Sequence, residues 1–137
     1  VTWTTGTLQP LEVNLTGVDT ILQGATYYRE IPLTKNGSPL DLTQLTGGSP
    51  GQKGLRVQLR KTAGDPGTAG VATATIKSPA TAGIVVLVME AVDTAQMTEA
   101  EGVYDVEGYD KTMSPEGVDR LIQGSWKLSL EVTKSTS

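Results

Sequence analysis

Three residue types are missing from this 137-residue chain: cysteine, histidine and phenylalanine. Without cysteine there is neither a disulfide framework nor a thiolate metal site. Without histidine the usual general base near neutral pH is gone. So are the imidazole of a Ser–His–Asp triad and the commonest metal ligand. An enzyme made from this sequence would have to work with carboxylates, lysine, tyrosine or backbone groups. No phosphate-binding GxxxxGK[ST] motif and no zinc-binding HExxH motif occurs in it. The expectation is a non-enzymatic protein with no cofactor and no metal site.

Clustered positive charge is also lacking. Eleven basic residues stand against fifteen acidic ones, for a formal charge of −4. The basic residues are scattered, which argues against a surface that tracks phosphates, and no nucleic-acid partner is expected. The longest apolar run is Ile84 to Met89, a strand length and far short of the roughly 20 residues a membrane helix needs. No membrane partner is expected. The first residues hold no positive region followed by an apolar stretch, so a signal peptide is not expected in this sequence.

What is present reads as strands. Threonine is abundant and suits sheets, and sixteen glycines and seven prolines punctuate turns. Leu55, Val57 and Leu59 alternate with Arg56, Gln58 and Arg60, giving one apolar and one polar face. Residues 27–33 predict a strand in which Pro32 must lie at an edge or an end. Asn36-Gly37 is the strongest short turn signal. Residues 43–54 and 63–70 read as loops. Val71–Ile76 and Ile84–Met89 read as strands, the second apolar on both faces and so expected to be covered on both. Residues 91–99 predict a helix of one or two turns. Strands follow over 103–109, 118–123 and 125–133, with a loop at 110–117 and Gly124 as a possible bulge.

About seven short strands after residue 26 predict an all-β fold, an immunoglobulin-like antiparallel β-sandwich with one short helix. The missing cysteine pair excludes a true antibody-type domain. Residues 1–25 read as an extended N-terminal arm, 26–134 as the sandwich and 135–137 as a flexible tail. Leu11, Val13 and Leu15 alternate with polar residues, so 11–15 has the pattern of an edge strand.

Some residues invite a functional reading. Trp3, Leu8, Leu11, Val13 and Leu15 would be the apolar anchors of an arm that grips a neighbour, although Trp3 could equally pack on its own domain. The acidic residues Glu99, Glu101, Asp105, Glu107 and Asp110 are the one candidate for a hard cation or paired-carboxylate chemistry. Their spacing lacks the pattern of a calcium loop, and Asp105 and Glu107 should face solvent. Tyr27, Tyr28 and Tyr109 are the only candidates for an aromatic sugar platform. Asn14-Leu15-Thr16 and Asn36-Gly37-Ser38 match the glycosylation sequon, the second being better explained as a turn.

The order of several segments carries a family resemblance. YREIPLTKNGSPLDLT, LRVQLRKTAG, AGIVVLVMEAVDTAQM, GVYDVEGYD and RLIQGSWKLSLEVTK follow one another between residues 28 and 134. This series resembles a family of small bacteriophage virion domains similar to the N-terminal domain of baseplate upper proteins. The matching positions are Asn36, Gly37, Pro39, Leu40, Asp41, Leu42 and Thr43, then Leu59, Arg60 and Lys61. Tyr104, Asp105, Gly124, Glu131, Val132 and Thr133 follow. Residues 44–54 look like an insertion, and residues 1–25 lie outside the shared region. The resemblance implies a structural component of a tailed-phage virion, assembled in the bacterial cytoplasm, at the tail baseplate or fibre-attachment region. It implies other virion proteins as partners and a homo-oligomer or symmetric multi-copy assembly. It brings no catalytic residues. A capsid decoration protein and a carbohydrate-binding module for host attachment are the alternatives.

Overall fold

The computed structural model describes residues 10–130. The chain forms β1 (Leu11–Glu12), β2 (Ile21–Leu22), β3 (Tyr27–Pro32), β4 (Thr34–Lys35), β5 (Ser38–Pro39), β6 (Lys53–Arg60), β7 (Thr73–Ile76), β8 (Ile84–Met89), α1 (Ala91–Thr94), β9 (Glu101–Asp110) and β10 (Gly117–Ser129). Single 3-10 turns lie at Gly17–Asp19, Thr43–Leu45 and Ala80–Ala82. Among the described residues the fold is mostly β, with one short α-helix.

The described residues form three sheets. The five-stranded sheet runs β1-β10-β9-β6, with β2 also pairing with β10. A three-stranded antiparallel sheet runs β3-β8-β7, and β4 and β5 make a small hairpin. The two larger sheets arrange themselves in a sandwich-like way. One shared core joins Leu59, Tyr104, Val106, Ile122 and Trp126 of the first sheet to Ile31, Val85, Leu87 and Met89 of the second. Alternation within each strand sends one set of side chains to this core and the other to solvent.

Several local features match their sequence signals. Asn36 and Gly37 both have positive φ, 55° and 80°, as a two-residue hairpin turn requires. Pro32 ends β3, and β3 is an edge strand of its sheet, so its missing N–H costs no ladder bond. The helix expected within 91–99 is the single turn Ala91–Thr94.

Other expectations need correction. Val118–Gln123 and Ser125–Thr133 are not two strands, since β10 runs without interruption from Gly117 to Ser129. The register shifts between Arg120 and Ile122, which places the bulge at Leu121 rather than Gly124. Leu121 and Ile122 consequently both point into the core. Among the described residues no further layer covers the outer face of β8. Val86 lies between Glu30 and Thr75 in register and is half-buried, while Lys77 reaches across to Glu30 at 2.9 Å. Long polar side chains on the flanking strands thus shield the second apolar face of β8.

Candidate interaction surface

The largest departure from the sequence reading concerns the arm. Trp3 and Leu8 lie outside the described residues. Leu11, Val13 and Leu15 do not reach away from the domain: residues 10–25 are built into its sheet. Leu11 and Glu12 pair in parallel with Ile122 and Gln123, and Ile21 and Leu22 with Leu128 and Ser129. Between them Val13 N–H donates to Gln123 C=O (2.9 Å) and Leu15 N–H to Ser125 C=O (2.8 Å). Lys127 N–H donates back to Leu15 C=O (3.0 Å). Leu15 is 1% exposed and Ile21 fully buried. The chain leaves this edge at the turn Gly17–Asp19, where Asp19 pairs with Arg29 at 3.3 Å, and again after β2.

Side chains lock the edge in place. Tyr104 Oη donates to Val13 C=O at 2.6 Å, and burial raises the pKa of this phenol above the ordinary tyrosine value. Asn14 Oδ1 accepts from both the N–H and the hydroxyl of Ser125, at 3.0 and 3.1 Å. Gly124 has its explanation here, because a Cβ at this position would overlap the Val13 carbonyl oxygen. The residue that read as a bulge is required for close approach of the N-terminal strand.

The outward face of the five-stranded sheet is charged and internally paired. Arg56 contacts Glu107 at 3.9 Å and Glu116 at 3.4 Å, and lies 5.2 Å over the Tyr109 ring. Arg120 pairs with Asp105 at 3.5 Å. Arg60 donates to the carbonyls of Asp65 (2.5 Å) and Gly67 (3.0 Å) and to Gln58 Oε1 (2.8 Å). The acidic residues are dispersed rather than gathered. Glu99 lies 3.8 Å from Lys61, and Asp110 turns inward, where its carboxylate accepts from Thr112. Among the described residues no group of three or more histidine, cysteine or acidic side chains could hold a metal.

The tyrosines do not share a platform. Tyr27 is buried, Tyr28 donates to Glu30 at 2.8 Å on the three-stranded sheet, and Tyr109 lies on the other sheet. The sequence does contain one GxSxG spacing. Gly47-Gly48-Ser49-Pro50-Gly51 has the spacing of a hydrolase nucleophile elbow. It sits in the loop between the Thr43–Leu45 turn and β6, not on a strand-to-helix turn, and the chain has no histidine to serve as its base.

No protein-family model matches the chain, and no curated protein matches its sequence.

Proposed function

We propose that this protein is a non-enzymatic structural component of a tailed-bacteriophage virion, an immunoglobulin-like domain that makes contacts in the baseplate or fibre-attachment region. The strand order supports the immunoglobulin-like reading. Taken in chain order after the N-terminal edge, β3, β6, β7, β8, β9 and β10 correspond to B, C, D, E, F and G. They split into B–E–D and C–F–G sheets, as in constant-type domains. The N-terminal edge strand lies beside the last strand.

The observation that carries the functional reading is how the shared positions are used. The segments that resemble the virion family occupy scaffold positions. Asn36-Gly37 makes a turn, Leu59 and Tyr104 are core, and Gly124 admits the edge strand. None of them joins a nucleophile to a base. Residues 1–9, with Trp3 and Leu8, join the domain at Pro10, which lies with Leu33, Leu40 and Leu121 around a cavity of about 200 Å³. Residues 10–25 pair with the domain, so the proposal keeps only residues 1–9 of the arm as the gripping segment.

Immunogold labelling of purified particles tests the location. Label at the tail tip is expected, and label confined to the head would favour a decoration protein instead. Deleting residues 1–9 should leave a folded domain that no longer enters the particle. Full incorporation of the truncated chain would refute the role given to these residues.

A further inference from the structure

Sheet ends decide where another chain can add a strand, because an end strand leaves a row of backbone N–H and C=O groups unpaired. Most ends in the described residues are blunted. β1 and β2 hold two residues each and are parted by the turn at Gly17–Asp19. β6 is met at Leu59 by Ala69 N–H and by a bridge to Gly70, and β7 has only four residues. β3 is the exception. It keeps six residues in unbroken register with β8 and ends the three-stranded sheet.

The alternation of hydrogen bonds identifies the open groups of β3. Leu33 N–H donates to Gly83 C=O at 2.8 Å. Bonded and non-bonded pairs alternate along an antiparallel ladder, so Ile31 and Arg29 also turn their N–H and C=O toward β8. Tyr28 and Glu30 turn theirs away. Among the described residues no backbone group bonds to Tyr28 or Glu30 from that side. Their side chains are exposed, Tyr28 by 59%. An inward-pointing charge is one device that protects an edge, but the charge of Arg29 is matched by Asp19 at 3.3 Å. Pro32 guards only the end of the strand.

This edge is complementary to itself. Two copies laid antiparallel about a two-fold axis bring Tyr28 opposite Glu30 of the second copy, and Glu30 opposite the second copy's Tyr28. Each pair exchanges two N–H···O=C bonds. The register keeps the two Glu30 carboxylates from standing opposite each other, and Lys77 balances each of them at 2.9 Å within its own chain. We propose that β3 is a homodimer edge, joining the three-stranded sheets of two copies into one continuous sheet. The inference goes beyond the virion reading and stands without it.

The test is sedimentation equilibrium and amide hydrogen exchange of the full chain from about 20 μM to about 1 mM, the range in which so small a contact forms. The mass should move toward two chains. At the low end the Arg29 and Ile31 amides should be protected while those of Tyr28 and Glu30 exchange freely, and protection at Tyr28 and Glu30 should rise with concentration. Glu30→Pro removes an outward N–H and leaves the ladder to β8 whole. It should raise the dimer Kd at least about tenfold. Glu30→Gln keeps that N–H and should dimerise as the parent chain does. Circular dichroism checks that both variants are folded; if Glu30→Pro is not, the exchange data on the parent chain decide alone. The proposal is overturned if the chain stays monomeric at about 1 mM, if protection at Tyr28 and Glu30 does not change with concentration, or if folded Glu30→Pro dimerises as tightly as Glu30→Gln.

Discussion

Replacing Leu15 with alanine separates a strand from an arm. In a detached arm, Leu11 and Leu15 would be equivalent, and neither would contribute to the stability of the isolated domain. In the structure they differ sharply, at 42% exposed for Leu11 and 1% for Leu15, which is bridged to Trp126. Truncating a fully buried leucine removes its transfer free energy and leaves a cavity, for a cost of about 3 kcal/mol within an observed span of 2–5. Leu11 loses only part of the transfer contribution and leaves no enclosed void, so Leu11→Ala should cost under about 1 kcal/mol. For a domain of this size, 3 kcal/mol corresponds to a fall in Tm of roughly 10 °C. Urea unfolding of the isolated protein, followed by tryptophan fluorescence and circular dichroism, measures both variants on one scale. Equal effects, or a Leu15→Ala cost below about 1 kcal/mol, would refute the placement of residues 10–25 in the domain.

Gly124→Ala should force the edge strand off β10 at a cost of about 1–3 kcal/mol, visible as lost hydrogen-exchange protection at the Val13 and Leu15 amides. Tyr104→Phe removes the 2.6 Å bond to the Val13 carbonyl. It should lower stability by about 1–2 kcal/mol, with the midpoint shifted and the m-value unchanged. Hydrogen bonding from the Thr112 hydroxyl holds the Asp110 carboxyl below its ordinary pKa. This stabilisation is present above the unfolded-state pKa of about 4 and is lost as pH falls through the lower folded value. Asp110→Asn should therefore flatten the acid side of the stability profile, and an unchanged profile would contradict that assignment.

Elements that depend on near neighbours were legible in the sequence. The alternation of Leu55–Arg60, the Asn36-Gly37 turn and the edge position forced on Pro32 each follow from local stereochemistry. The failures share a physical cause. Residues 11–15 carry the pattern of an edge strand, yet their partner is β10, more than a hundred positions away, and the turn at Gly17–Asp19 breaks the pattern before β2 resumes it. A parallel pairing of this kind leaves no local mark. Gly124 gave an ambiguous signal, because a missing side chain fits a bulge and a close backbone approach equally well. The bulge at Leu121 falls on an ordinary apolar residue, and nothing nearby announces it. A missing histidine or cysteine, by contrast, is readable without any tertiary context.

Quantitative mass spectrometry of density-purified phage particles tests the proposed virion role most directly. The account predicts that the protein is recovered from intact virions in fixed stoichiometry, at a copy number divisible by three or six as symmetric phage assemblies require. Its absence from intact particles, with the protein found only in the infected-cell lysate, would contradict a structural role in the virion.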